Sequence, residues 1–165
     1  MGNIVIENDW SEVKLIDWGC GSQIKNNLSP KAGSRTVRSP EMLLGYSGYG
    51  SKGDIWSIGV LILYILTKGK LPWKAKTAHS ALTLMSAFIG SETLLDLATK
   101  YECELPEDVI KEIRETKPLT YKDAFSRKMK HLRDPQLLDL MYQLLTVDVE
   151  LRPSAEEALQ HTFFR

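Results

Sequence analysis

Little in this chain is in surplus. Its 21 lysines and arginines are matched by 21 aspartates and glutamates, so bulk charge gives no argument for nucleic acid or a membrane surface as partner. Cys20 and Cys103 are the only cysteines. They are too few for a disulfide framework and too far apart for metal-ligand spacing, which suggests free thiols and an intracellular, reducing compartment, nucleus or cytoplasm. No secretory leader is expected, because Ile4-Val5-Ile6 runs straight into Glu7-Asn8-Asp9. Met1-Gly2 lacks the later hydroxyl residue of a myristoylation motif, since Ile6 stands where Ser or Thr is needed. No internal repeat or low-complexity tract is present, and no apolar run reaches the roughly 18 residues that span a bilayer.

What is there is centred on one stretch. From Ile55 to Thr67 the chain carries no charge, and Ile55, Ile58, Val60, Leu61, Ile62, Leu63, Ile65 and Leu66 leave no polar face once wound as a helix. A helix that is apolar all round must be surrounded. Burying about eight such side chains at roughly 1.5 to 3 kcal/mol each gives gross stabilisation on the order of 10 to 20 kcal/mol before chain entropy. The remaining elements are expected to pack around this helix, with Asp54 as its cap.

At the start, Ile4-Val5-Ile6 and Val13-Lys14-Leu15-Ile16 flank turn formers and predict a short antiparallel hairpin, which must lie on something to be stable. Asp17-Trp18-Gly19 follows its second strand. Ser22 to Pro40 has no periodicity; irregular segments of that length are usually functional or disordered. Pro40-Glu41-Met42-Leu43-Leu44 predicts a helical turn. Gly48-Tyr49-Gly50-Ser51-Lys52-Gly53 matches a dinucleotide fingerprint in letters only: no buried strand precedes it and no acid lies between Asp54 and Glu92 to hold a ribose. Helices are further predicted over 77–89, 91–101 with Ser91 as cap, 106–115, from Asp134-Pro135 onward, and 153–160. The polar stretch 117–133 predicts a solvated connector.

The ordered set of hairpin, Asp17-Trp18-Gly19, long loop, Ser39-Pro40-Glu41, Asp54-Ile55-Trp56-Ser57-Ile58-Gly59 and Arg152-Pro153-Ser154 resembles the C-terminal lobe of eukaryotic serine/threonine protein kinases. Each motif is weak alone; five in order across nearly the whole chain are strong. Asp17-Trp18-Gly19 and Lys100-Tyr101-x-x-Glu104-Leu105 resemble the casein kinase 2 alpha family. Gly33-Ser34-Arg35, Arg38-Ser39-Pro40-Glu41 and Phe88-Ile89-Gly90-Ser91-Glu92-Thr93 resemble the cell division control protein 7 family.

The resemblance implies a mainly α fold: one partial kinase domain over 1–165, running from the end of the catalytic loop to the last helix. Its small hairpin would pack on a buried central helix, and the N-terminal lobe would be absent. It implies ATP and Mg²⁺ as cofactors, with Asn3 and Asp17 as metal ligands. It also implies a buried pair between Glu41 and Arg152, with Asp54 as a further structural residue. Lys31, Arg35 and Arg38 would be substrate-binding, since in casein kinase 2 basic residues at matching positions face the residue after the phosphorylated one. Protein substrates with acidic or phosphorylated sites follow as partners, with a regulatory subunit left open and neither nucleic acid nor membrane expected. The chain opens at what resembles the last residue of the catalytic loop. The catalytic Asp, the ATP-binding Lys and the Gly-rich loop are therefore not among its residues, and no catalytic residue is assigned. Two functions compete on this basis: a kinase represented by its C-lobe and inactive alone, or a non-catalytic, pseudokinase-like binding module.

Overall fold

The computed structural model describes residues 2–9, 11–23, 28–119 and 134–165. Strands β1 (Ile4–Ile6) and β2 (Val13–Leu15) pair antiparallel with Ile4 opposite Leu15 and Ile6 opposite Val13. The helices are α1 (Pro40–Leu44), α2 (Lys52–Leu66), α3 (Ala78–Ile89), α4 (Ser91–Lys100), α5 (Glu107–Glu115), α6 (Pro135–Leu144) and α7 (Ala155–Leu159). The fold is mainly helical with this single two-stranded sheet among the described residues.

The helix starts follow local chemistry. Thr77 caps α3 in a capping box with Ser80, and Ser154 caps α7 in one with Glu157. Asp134 accepts from the amides of Gln136 and Leu137 ahead of Pro135, which opens α6. Two expected caps are corrected. Helix α2 begins at Lys52, so Asp54 lies inside its first turn and makes no capping bond. Gly53 lies in that first turn, where a Cβ would sit 2.8 Å from the Tyr49 ring, so the close approach of that ring needs a residue without one. Ser91 is not a cap either; its hydroxyl donates to the Ile113 carbonyl at 2.7 Å and ties α4 to α5. The stretch 117–133 falls from residue 120 onward outside the described residues.

The core gathers Trp56, Val60, Leu63, Trp73, Leu82, Met85, Leu94, Ile113 and Met141, each fully enclosed. Helix α2 packs most extensively on α6. Gly59 makes that crossing possible, because a Cβ there would meet Leu145 Cγ at 2.9 Å and Leu144 Cβ at 3.0 Å. Trp73 continues the core outward, its ring 6.3 Å from Trp56 and 5.3 Å from Phe88.

The central helix is less enclosed than its composition predicts. Gly53, Ile55, Trp56, Gly59, Val60, Leu63 and Leu66 are buried, but Ile58 and Ile65 are exposed, at 47% and 60%. The hairpin does not cover that gap. Val5, Ile6, Val13, Leu15 and Ile16 all keep large exposed apolar surface, so the expected packing of the hairpin on α2 is not realised by these side chains. Its strands are held by their own ladder and by the Lys14 bridges to Glu7 and Glu12.

Candidate functional site

The hairpin register builds the first part of the site. One rung beyond the Ile4–Leu15 pair, the Asn3 carbonyl accepts the Ile16 amide at 2.9 Å, which sets Asn3 beside the end of the second strand. Asn3 Nδ2 then donates to Asp17 Oδ2 at 3.2 Å. Asp17 sits in the left-handed region, with φ 61° and ψ 68°. Asp adopts that conformation more readily than most residues, yet it remains an uncommon one, and held outliers of this kind gather at binding sites. Directly after it the chain makes a tight turn over Trp18–Cys20, with the Trp18 indole donating to the Leu15 carbonyl at 3.2 Å.

Asn3 and Asp17 are both exposed. They offer one amide oxygen and one carboxylate, a hard donor set that suits Mg²⁺. That ion takes few ligands from protein and the rest from phosphate and water. Among the described residues no three His, Cys, Asp or Glu side chains come together as a self-sufficient metal cage. The donor set therefore fits an ion brought in with a nucleotide better than a permanently bound one.

The basic loop forms the second part. Its ends are pinned by backbone and side-chain bonds: the Leu28 amide to Ser47 O at 3.0 Å, and the Tyr49 hydroxyl to Ser29 O at 2.8 Å. On the far side Trp73 Nε1 donates to Thr36 O and Ser57 Oγ to Val37 O, both at 3.0 Å. A short turn over Arg35–Val37 lies between these pins. Lys31 and Arg35 are exposed, and Arg35 Nη1 donates to the Lys76 carbonyl. Arg38 is half-buried and turns inward on the loop's own backbone. Burial, then the neighbouring Arg35, pushes the Arg38 pKa down from the usual arginine range. The three cations are therefore close in the chain but do not converge on one acceptor.

The third part is structural. Glu41 and Arg152 form a bidentate pair at 2.8 and 2.9 Å, with both side chains fully buried. Arg152 also donates to Thr146 O at 2.9 Å, Lys52 O at 2.8 Å and Val147 O at 3.1 Å, so all five guanidinium N–H groups are engaged. Its charged plane lies over Trp56, 5.2 Å from the ring centre. This one side chain fastens α1, the start of α2 and the turn before α7. Asp54 stands apart from the pair; it is exposed, yet partial burial of its carboxyl raises its pKa. Of the glycines before α2, Gly48 lies against the Tyr46 ring, and Gly50, with open space around it, takes a positive φ of 57°.

A family model described as protein kinase domain matches residues 1–164. The chain belongs to the protein kinase family. Casein kinase II subunit alpha' of Saccharomyces cerevisiae is 27% identical to this kinase chain over 165 residues, 99% of the chain and 48% of the relative. The chain thus spans about half the length of that curated relative.

Sequence reasoning missed several groups in this kinase chain. Tyr49, Ser57 and Trp73 pin the basic loop from outside it, and no periodic signal marks side chains that serve a distant carbonyl. It also missed a polar knot in which Lys100 Nζ meets Asp148 and Glu150 at 2.6 Å each while the Tyr101 hydroxyl donates to Asp148 at 2.8 Å. Tyr101 stacks on Tyr46 at 4.2 Å. Among the described residues no helix is long and apolar enough to cross a membrane.

Proposed function

We propose that this chain is the C-terminal half of a serine/threonine kinase domain that passes the terminal phosphoryl group of MgATP to Ser or Thr followed by Asp, Glu or phosphoserine. On this reading it acts inside the cell, in nucleus or cytoplasm, and is inactive alone. The observation that carries the reading is the Asn3–Asp17 pair, two hard-oxygen side chains brought within 3.2 Å by the hairpin register and left open to solvent. A binding-only lobe has no use for them. Mg²⁺ held there would neutralise charge on the phosphates of the nucleotide. Asp17 would supply the anionic ligand and Asn3 its amide oxygen as a second one.

The acidic preference is supported by composition and exposure. No acid occurs between Gly19 and Glu41 to neutralise the loop, and Lys31 and Arg35 keep their charges at the surface. Inactivity alone is supported by the chemistry. Phosphoryl transfer depends on positioning and electrostatic stabilisation, and no His-Arg-Asp triplet occurs in this sequence.

The test has two arms. Purified chain incubated with MgATP and a Ser-Glu peptide is expected to give no phosphopeptide, and transfer would show that the nucleotide site is complete within these residues. The coding sequence upstream of Met1 is then read for an in-frame His-Arg-Asp. If present, the joined protein should phosphorylate acidic peptides and Asp17→Ala should abolish that activity. An active Asp17→Ala enzyme would remove the metal role.

A further inference from the structure

Arg38 meets a different environment from the two cations before it. Its Nε donates to Ala32 O at 2.9 Å, and its Nη2 to Gly33 O at 2.9 Å and to Lys31 O. Three successive carbonyls thus turn toward one guanidinium. Successive carbonyls converge in this way only if the backbone is bent between them, and Gly33 supplies the bend at φ 67°. A Cβ at Gly33 would meet nothing within 4 Å, so it is the conformation and not the space that requires glycine. The fork of N–H groups on arginine can serve several acceptors from fixed directions, whereas a lysine ammonium is a single point charge. The start of the turn is also held by the Ala32 amide to Ser29 O at 3.1 Å and the Lys31 amide to Ser29 Oγ at 3.3 Å, but its three carbonyls are bonded by Arg38, and the outer pins from Trp73 and Ser57 act on Thr36 and Val37, beyond it.

We propose that Arg38 is a positioning residue that shapes the Lys31–Gly33 turn through its carbonyls, so that Lys31 and Arg35 alone face the acidic group of the substrate. This rests on the substrate reading above and departs from the resemblance, under which all three cations touch the substrate. Lys31 carries an ammonium with no partner among the described residues, and Arg35 commits only Nη1, to Lys76 O. Each therefore keeps donors for an incoming carboxylate. Arg38 has turned its donors the other way.

Charge and shape are separated by comparing Arg38→Lys, which keeps the charge, with Arg38→Gln, which does not, and with Lys31→Gln. Two readouts are needed: the ratio of kcat/KM for Ser-Glu over Ser-Lys peptides in the complete kinase, and hydrogen exchange of the Ala32 and Val37 amides in the chain itself. Those amides are bonded to Ser29 O and Ser34 O and report whether the loop is set. The expected result is that both Arg38 variants lower the peptide ratio equally and speed exchange by about tenfold or more. Lys31→Gln should lower the ratio with exchange unchanged. Retention of the parental ratio by Arg38→Lys, or unaltered exchange in either Arg38 variant, would overturn the positioning role. A parental ratio near one would sink the acidic-substrate reading instead, and exchange would still decide the role of Arg38.

Discussion

Arg152→Ala should be among the most destabilising single substitutions available in this protein. Removal of the guanidinium leaves Glu41 fully buried without its cation. Breaking a buried ion pair from one side costs roughly 3 to 5 kcal/mol, because the remaining charge must be neutralised or hydrated in place. Three carbonyls, of Lys52, Thr146 and Val147, lose their donor at the same time. Each unsatisfied buried acceptor adds about 1 to 3 kcal/mol unless water enters. Taking the low end of each, about 3 kcal/mol for the charge and about 1 kcal/mol for each of the three carbonyls, gives roughly 6 kcal/mol, a large share of the roughly 5 to 15 kcal/mol that holds a domain together. For a chain of this length about 1 kcal/mol shifts the melting temperature by roughly 2 to 4 °C, so a drop on the order of 10 to 20 °C is expected. Arg165→Ala, at the exposed terminus, should stay within about 0.5 kcal/mol of the parent. The double substitution Glu41→Met with Arg152→Met sharpens the argument. Buried pairs replaced by apolar groups are often neutral, but here the three orphaned carbonyls should keep the double variant at least about 3 kcal/mol below the parent. The assay is urea unfolding followed by circular dichroism, with thermal melts alongside. Equal midpoints for Arg152→Ala and Arg165→Ala, or full recovery in the double variant, would refute the reasoning.

Asp148 gives a pH prediction. Burial pushes its carboxyl up, but bonds from Lys100, Tyr101 and the Glu150 amide outweigh this and hold the pKa below the ordinary value of 3.8. A carboxylate depressed on folding stabilises above its unfolded value and loses that contribution as pH falls through the folded one. Urea midpoints of the parent should therefore exceed those of Asp148→Asn at neutral pH and converge with them below about pH 4; a gap unchanged at about pH 2.5 would contradict the knot. Asp54 has the opposite sign, since burial raises its pKa on folding. Asp54→Asn should melt above the parent at pH 7, with the two meeting once pH drops below the unfolded value of about 4; a lower melt at pH 7 would show a favourable role for the charge. Gly59→Ala sets two effects against each other: about 0.5 to 1 kcal/mol gained in helix propensity and about 1 to 3 kcal/mol lost to overpacking, from contacts of 2.9 and 3.0 Å with Leu145 and Leu144. Net destabilisation is expected in urea titration, and a stabilised variant would mean that α6 can retreat from α2.

Much of the fold was legible because its signals are local. Thr77, Asp134 and Ser154 announce helix starts through their own short side chains, and the structure shows each accepting the amides it should. The hairpin was legible for the same reason, as β-branched runs around turn formers. Asp54 and Ser91 were misread as caps because a residue type favoured at helix starts is also useful elsewhere. Ser91 serves a carbonyl on another helix, and α2 starts at Lys52, which leaves Asp54 inside its first turn. Glu41 and Arg152, which are 111 residues apart, carry no pattern that would join them. Only the resemblance brought them together. The inward turn of Arg38 was illegible for a further reason: a sequence shows that a side chain is charged but not whether it meets solvent, a carboxylate or its own backbone.

The exposed apolar surface belongs to the same argument. The pattern of α2 specifies a helix with protein on all sides, because Ile58 and Ile65 are as apolar as the buried Ile55 and Leu66. Side-chain chemistry encodes the surroundings in which a helix is stable, and here those surroundings are only partly supplied by α1, α6 and the turns between them. The hairpin repeats the mismatch, since a two-stranded ladder is marginal in water unless one face is covered. Trp18 at 70% exposure and Ile65 at 60% likewise leave large apolar side chains open to solvent. On the proposed reading this mismatch is itself informative. The same hairpin that holds Asn3 against Asp17 is also poorly covered, so the metal-binding geometry depends on a strand pair that further contacts would have to hold steady.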